Sequence, residues 1–225
     1  MTGKLSIVAT PIGNLEDITL RALRTLRECD VVYAEDTRVV AKLLARYEIK
    51  KPLQRLDATT ELKKAKEIFS RLEKSEHVTY VSDAGTPGIT DPGARLVAFV
   101  REHLPEAIIE AIPGPSALTA ALSIAGVDAS EFTYLGFLPH KKGRQTALKR
   151  IAANDHTVVL YESPHRILKL LKELEKVGIQ KVTIARELTK IHEEVLVGKP
   201  AELAERLEVT KAVRGEFVVI AHVVE

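Results

Sequence analysis

Short apolar runs alternate with longer amphipathic runs along the chain, and this alternation constrains the fold more than any other feature. In the first half the apolar runs are LSIVAT, VVYAE, PLQRL, HVTYVSD and AIIEAI, which are typical of strands. The segments between them carry apolar residues at helical spacing, as in TLRALRTLREC, where Thr19 is a candidate helix cap. Repeated strand–helix units predict a parallel sheet with helices on its faces.

The pattern changes after the segment IPGPSA, where two prolines flank a glycine and a new helical pattern begins. We therefore predict two α/β domains, residues 1–113 and residues 114–225. In the second domain, VTIARE and HEEVLVG are separated by too little chain for a helical crossover. They should be antiparallel neighbours, so the second domain is expected to have a mixed sheet.

Composition excludes several classes of protein. A chain of 225 residues with a formal net charge of +2 is long enough for two domains and is not generally basic. Its single cysteine, Cys29, excludes an internal disulfide, and its seven histidines show no ligand spacing, so no metal site is expected. No apolar run approaches the ~20 residues of a membrane span, and no signal peptide is visible, so we expect a cytoplasmic protein.

Three loops rich in glycine and proline directly follow predicted strands. They are TPIGN at residues 10–14, SDAGTPGITDPG at residues 82–93 and IPGPSA at residues 112–117. Ligands of open α/β sheets bind at the carboxyl ends of strands, so these loops are the candidate binding site. The sequence has neither a P-loop nor a GxGxxG fingerprint after its first strand. Asp83 and Asp91 disfavour a polyphosphate and suit a small ligand with positive charge or many hydrogen-bonding groups.

One window of the second half is basic. Residues 132–154 contain no acidic residue, and five basic residues lie within them: Lys141, Lys142, Arg144, Lys149 and Arg150. Such a window suits contacts to a phosphate backbone, which position a nucleic acid without reading its sequence. A solvated basic face is the alternative.

Six motifs follow one another in a fixed order between residues 5 and 223. They are ATPIGNLEDIT, AEDTR, SDAGTPGITDPG, IPGPSALTAAL, GFLP and YESPHR. This set closely resembles the tetrapyrrole-methylase (class III methyltransferase) family. TPIG and AGTP stand where most members have GPG and GDP, and these departures are typical of the family's ribosomal RNA branch.

The resemblance implies S-adenosylmethionine as methyl donor, held in the cleft between the two domains of the chain. It also implies a homodimer. It implies methylation of a cytidine 2′-hydroxyl in the decoding region of 16S ribosomal RNA, within the small ribosomal subunit, and no DNA or membrane partner. Positions carried over by motif are implied to bind the cofactor: Pro11, Gly13, Thr86, Ile89, Ser116, Ala117 and Tyr161. The same resemblance favours the RNA interpretation of the basic window.

A ribose hydroxyl is a poor nucleophile, so a general base would assist methyl transfer. Candidates near predicted strand ends are Asp36, Asp83, Glu162, His165 and Glu187. Of these we select Glu162 and His165, in the motif YESPHR, together with Asp83 as catalytic residues. A structural role is open for each candidate: Asp36 could cap a helix, Asp83 could hold its loop, and Glu187 could pair with Lys190.

Two other functions are compatible with these motifs. The chain could methylate a corrin or porphyrin precursor on the same fold, although the acid-free basic window argues against this. It could also be a non-catalytic RNA-binding factor of ribosome assembly, which would bind RNA without affinity for S-adenosylmethionine.

Overall fold

The structure is a computed structural model that describes residues 3–57 and 59–223. The chain divides into two compact units, Met1–Ser116 and Ala117–Glu225, which we describe separately. The domain boundary between residues 113 and 114 stays a prediction. The α/β class with one parallel and one mixed sheet is confirmed.

The first unit contains a five-stranded sheet in the order β3-β2-β4-β1-β5. Its strands are β1 (Lys4–Val8), β2 (Val31–Ala34), β3 (Leu53–Arg55), β4 (His77–Val81) and β5 (Ile108–Ile112). Every strand pair in this sheet is parallel, as the alternation of strand and helix predicts.

Four helices of the first unit lie along the sheet. They are α1 (Leu20–Glu28), α2 (Thr37–Arg46), α3 (Glu61–Glu73) and α4 (Gly93–His103), and a short 3-10 helix (Leu15–Asp17) precedes α1. The predicted cap of α1 is confirmed, because Thr19 Oγ1 accepts a hydrogen bond from the Ala22 amide at 3.1 Å. Helices α1 and α2 pack on one face of the sheet, and α3 and α4 pack on the other.

A polar chain of hydrogen bonds crosses three strands of this sheet. The Ser6 hydroxyl donates to Glu110 Oε1 at 2.7 Å and lies 2.8 Å from His77 Nε2. Because the hydroxyl has one proton, His77 must donate from Nε2 to the serine. Burial, followed by the nearby Lys4 charge, lowers the pKa of His77.

We expect the folded first unit to lose stability as the pH falls below about 6.5, the ordinary histidine pKa. The unfolded chain then protonates His77 before the folded chain does, so protons favour unfolding. Urea denaturation at pH 7.5 and pH 5.5 measures this loss. His77→Gln keeps a side-chain donor and should reduce the pH dependence, and an unchanged dependence would contradict the assignment.

The second unit contains a five-stranded sheet in the order β6-β7-β10-β8-β9. Its strands are β6 (Phe132–Phe137), β7 (Thr157–Glu162), β8 (Lys181–Arg186), β9 (Glu194–Gly198) and β10 (Phe217–His222). The β6–β7 pair is parallel and the other pairs are antiparallel. The predicted antiparallel pairing of VTIARE with HEEVLVG is confirmed as β8 and β9.

The helices among the described residues of the second unit are α5 (Ala117–Ile124), α6 (Arg144–Ala152), α7 (Ile167–Lys176) and α8 (Pro200–Val209). Residues of α6, α7 and α8 pack on one face of the sheet, where Leu160 and Val219 lie in the core. Helix α5 contacts β10. Within the described residues, no helix has the length and apolar content to cross a membrane, and no cluster of His, Cys, Asp or Glu could hold a metal ion.

Candidate functional site

Three Gly/Pro-rich loops follow adjacent strands of the first unit. The first loop (residues 10–14) follows β1, the second loop (residues 82–93) follows β4, and the third loop (residues 112–117) begins at the end of β5. Strand β1 lies between β4 and β5, and all three run parallel. Their carboxyl ends therefore meet at one edge of the sheet, where ligands of such sheets bind.

Hydrogen bonds join the three loops. Thr10 and Gly85 exchange two backbone bonds of 3.0 Å, which connect the first and second loops. The Thr86 hydroxyl donates to the Pro115 carbonyl at 3.1 Å and connects the second and third. The Thr10 hydroxyl adds a bond to the Ser82 carbonyl at 3.2 Å. The loops thus form one connected surface, prearranged by its own backbone.

Two glycines permit the close approach of these loops. Gly85 has φ of +81°, and a Cβ there would lie 3.3 Å from Ile12 Cγ2 and 3.6 Å from the Pro115 carbonyl oxygen. A Cβ on Gly114 would lie 3.0 Å from Ala9 Cβ. A side chain at either position would press against a neighbouring loop, so the two glycines keep the loops close together.

The predicted cofactor positions are distributed over both units. Pro11 is buried and Gly13 is exposed in the first loop, whereas Thr86 and Ile89 are exposed in the second. The half-buried pair Ser116 and Ala117 ends the third loop, with Ala117 opening α5. The loops bring Pro11, Gly13 and Thr86 to one edge. Tyr161 belongs to the second unit.

Carboxylates lie along the same edge of the first sheet. Asp83 Oδ1 accepts a hydrogen bond from the Asp36 amide at 2.8 Å, so Asp83 holds the end of β2. Asp91 accepts bonds from the amides of Gly88 and Gly93, both at 2.8 Å, and from the Tyr80 hydroxyl at 3.0 Å. Asp91 therefore shapes the second loop, and Asp83 lies at its start.

Glu35 is a member of this acidic edge that the sequence-based reasoning missed. It directly follows β2 and is half-buried. Burial raises the pKa of the Glu35 carboxyl, and the negative charges of Asp83 and Asp91 raise it further. Its position in AEDTR, immediately after a strand, was the available signal.

Asp36 and Glu187 make the structural contacts that were the alternative to a catalytic role. Asp36 Oδ1 caps α2 by accepting from the Arg38 amide at 2.9 Å, and the Arg38 guanidinium lowers the pKa of Asp36 to about 2. Glu187 Oε1 accepts from Lys190 Nζ at 2.9 Å and from the Glu216 amide at 3.0 Å. Both carboxylates hold local structure.

Tyr161 and Glu162 are consecutive residues of β7, so their side chains lie on opposite faces of the second sheet. Tyr161 pairs across the sheet with Val218 and is in edge-to-face contact with the Tyr134 ring, 5.2 Å between centroids. Glu162 pairs with Phe217, which lies in the core beneath α6, α7 and α8. A ligand against Tyr161 would therefore be separated from Glu162 by the sheet.

The prediction of Glu162 as a catalytic residue is corrected by its surroundings. The residue is 2% exposed, and its Oε1 lies 3.1 Å from Arg166 Nε. The Ser163 amide donates to the same oxygen at 2.8 Å, and Arg144 Nη2 lies 3.9 Å from Oε2. A carboxylate that is buried in the core and enclosed between two guanidinium groups is not accessible to a substrate. We assign Glu162 to the core of the second unit.

His165 occupies the exposed turn between β7 and α7. The Arg166 amide closes this turn by donating to the Ser163 carbonyl at 3.0 Å. His165 and Asp83 stay candidate bases, one in each unit.

Four of the five basic residues predicted to contact RNA are exposed, namely Lys141, Lys142, Lys149 and Arg150. Arg144 is corrected, because it is 3% exposed and its guanidinium faces inward. Its Nε donates to Glu173 Oε2 at 2.8 Å, and its Nη1 donates to the Pro139 carbonyl at 3.2 Å. Arg144 therefore anchors the loop before α6, and the exposed charge of the window comes from the other four.

The chain is similar to known proteins over most of its length. A model of the tetrapyrrole (corrin/porphyrin) methylases matches residues 4–204. Ribosomal RNA small subunit methyltransferase I of Thermotoga maritima is 47% identical over 220 residues, which cover 97% of each chain. The protein of the same name from Borrelia garinii is 45% identical over 222 residues, covering 96% of this chain and 97% of that one.

Solved structures share the fold at lower identity. The methyltransferase CobJ superimposes with a TM-score of 0.71 at 20% identity, covering 98% of this chain and 94% of CobJ. Uroporphyrin III C-methyltransferase from Thermus thermophilus gives a TM-score of 0.66 at 18% identity, covering 98% of each chain. Diphthine synthase gives 0.73 at 15% identity, covering 97% of this chain and 90% of that one.

Proposed function

The chain belongs to the tetrapyrrole (corrin/porphyrin) methylase family, and from this premise we propose that it methylates ribosomal RNA. The methyl group of S-adenosylmethionine is transferred to the 2′-hydroxyl of a cytidine in the decoding region of 16S ribosomal RNA. The protein acts in the cytoplasm as a homodimer, on RNA within the small ribosomal subunit.

One observation carries this proposal. The chain is 41–47% identical, over nearly its full length, to several bacterial proteins named ribosomal RNA small subunit methyltransferase I. Its identity to structures of corrin and uroporphyrin methyltransferases is 18–20%. The similarity therefore favours RNA over a tetrapyrrole as the substrate.

The loop edge of the first unit fits S-adenosylmethionine, which carries an activated methyl group on a positively charged sulfur. Gly85 and Gly114 let the loops pack closely at this edge, as the contacts of their would-be Cβ atoms with Ile12, Pro115 and Ala9 indicate. The neighbouring carboxylates of Asp83 and Glu35 favour a cationic ligand over a phosphate. Methyl transfer depends mainly on alignment, and a surface fixed by its own hydrogen bonds supplies it.

We propose that Asp83 takes the proton of the ribose hydroxyl. Its Oδ1 is held by the Asp36 amide, which leaves Oδ2 as the acceptor for a substrate. Asp83 is half-buried at the start of the second loop, beside the proposed cofactor edge. His165 is the second candidate for this role.

Four exposed basic side chains in the window 132–154 are proposed to contact phosphates of the RNA. They are Lys141, Lys142, Lys149 and Arg150. Lysine and arginine contacts of this kind make binding depend on salt but give no sequence specificity. Four charges provide modest affinity, so we expect the shaped small subunit to be a better substrate than a short free RNA.

Transfer of tritiated methyl groups to purified small subunits tests the proposal. We expect labelled 2′-O-methylcytidine after nuclease digestion of the RNA, and no label on a porphyrinoid substrate. Methylation of the porphyrinoid but not of the subunit would identify a tetrapyrrole enzyme. RNA binding without measurable calorimetric affinity for S-adenosylmethionine would identify a non-catalytic factor.

Gly85→Ala is expected to weaken S-adenosylmethionine binding about tenfold. Alanine would have to adopt the positive φ of +81°, which strains the second loop, and its Cβ would lie 3.3 Å from Ile12 Cγ2, so the first loop must shift by a few tenths of an ångström. Isothermal titration calorimetry measures the change in Kd. Gly126→Ala is the matched control, because Gly126 has φ of +66° but no atom within 4 Å of its would-be Cβ. Equal affinities for the two variants would contradict the loop assignment.

A further inference from the structure

Exposed aromatic side chains are scarce on this protein. The sequence has five Phe, five Tyr and no Trp. Within the described residues, the aromatic side chains among the exposed large apolar ones are Phe132, 38% exposed, and Phe137, 54% exposed. They are the two ends of β6, an edge strand of the second sheet.

A β-bulge determines the direction of Phe137. The register of β6 against β7 pairs Tyr134 with Val159 and Gly136 with Leu160, so Leu135 is an extra residue. Gly136 has φ of +60° at this bulge. Regular alternation from Tyr134 would turn Phe137 toward the helix-covered core face. The bulge instead pairs Phe137 with Tyr161, on the opposite face.

The Phe137 ring is supported from one side by aromatic neighbours. It packs against Tyr161 with 5.8 Å between ring centroids and an interplanar angle of 67°. Tyr161 packs in turn against Tyr134, at 5.2 Å and 71°. Burial raises the pKa of both tyrosines, so they stay neutral and act as fixed walls. An apolar ring that packs against a neighbouring ring and is half exposed is a ready stacking surface.

The backbone directly after Phe137 is held by two arginine side chains, and two exposed lysines follow it. Arg166 Nη2 donates to the Leu138 carbonyl at 2.5 Å, and Arg144 Nη1 donates to the Pro139 carbonyl at 3.2 Å. Lys141 and Lys142 follow within five residues and are exposed. A supported aromatic ring beside a positively charged loop is the combination that binds an unpaired base together with its flanking phosphate.

We propose that Phe137 is the platform on which an unpaired base of the substrate RNA stacks, at or beside the methylated nucleotide. This rests on the proposed function. A ribose enclosed in folded RNA becomes accessible when its base leaves the stack, and an aromatic surface replaces the lost stacking. Lys141 and Lys142 hold the adjoining phosphates, and the rigid backbone at residues 138–139 keeps the ring in place.

Phe137→Leu tests this role, since leucine retains an apolar side chain and removes the flat ring. We expect kcat/KM for small subunits to fall about five- to a hundredfold, in line with the loss of one base–aromatic stack. The Kd for S-adenosylmethionine, measured by calorimetry, should stay within twofold. Phe137→Trp, which keeps a flat aromatic ring, should retain at least half of the wild-type kcat/KM.

Phe132→Leu is the matched control, because it removes an exposed aromatic ring from the same face at the other end of β6. It should leave kcat/KM within twofold. The proposal is overturned if Phe137→Leu keeps wild-type kcat/KM, if Phe132→Leu loses as much, or if Phe137→Leu loses cofactor affinity in parallel. A wild-type protein that methylates no small subunit overturns the proposed function itself, and the stacking role with it.

Discussion

Replacing Arg144 with methionine is expected to lower the free energy of unfolding by about 3 kcal/mol. The guanidinium is buried, with Glu173 Oε2 2.6 Å from Nη2 and Glu162 Oε2 3.9 Å away. Methionine fills similar space without charge, so Glu173 loses its strongest partner in a largely dry environment. Removing one member of a buried ion pair typically costs about 3–5 kcal/mol, and Glu162 keeps Arg166, which places the loss near the lower end.

Urea denaturation followed by circular dichroism measures this loss. Lys142→Met is the matched control, because Lys142 lies two residues earlier in the same basic window and is exposed. Its effect should stay below about 0.5 kcal/mol, as for most surface substitutions. An Arg144→Met protein of unchanged stability but raised KM for small subunits would return Arg144 to the RNA-contacting set.

Replacing Asp83 with asparagine is expected to reduce kcat for methyl transfer by about 10²- to 10⁴-fold, the usual contribution of a general base. Asparagine is nearly isosteric and its Oδ1 can still accept from the Asp36 amide, so the loop geometry is retained. Only the capacity to take a proton is lost. Single-turnover methylation of small subunits at saturating S-adenosylmethionine measures the chemical step.

Asp36→Asn is the control for Asp83→Asn. Asparagine caps helices as well as aspartate does, so α2 should be retained while a neighbouring negative charge is removed. Its kcat should stay within about threefold of wild type. Equal losses in both variants would indicate that the acidic edge acts through its overall charge. A large loss in His165→Gln with little change in Asp83→Asn would move the base to the second unit.

Much of the fold could be predicted because its signals are local. Runs such as HVTYVSD are apolar and bounded by turn residues, so strand and helix can be distinguished within a few positions. The short link between VTIARE and HEEVLVG was enough to predict their antiparallel pairing. The strand order β3-β2-β4-β1-β5 was not accessible in this way, because it depends on contacts between residues far apart in sequence.

Side-chain roles were less predictable than loop positions. The sequence places Arg144 in a run with Lys141 and Lys142, and nothing local distinguishes its charge from theirs. Its helix directs it toward Glu173 in α7, 29 residues away, and this contact buries it. Glu162 ends a strand, and this position alone suggested a catalytic role. Its side chain lies on the face that α6, α7 and α8 cover, and only the packing of these distant helices decides this.

The Gly/Pro-rich loops were determined by the sequence itself, since glycine and proline restrict the backbone wherever they occur and the preceding strands position them. The tertiary structure alone decided which charges face solvent, and how an extra residue in β6 turns Phe137 to the face of Tyr161. Burial and strand register are properties of packing between distant segments, and a single sequence records them only indirectly.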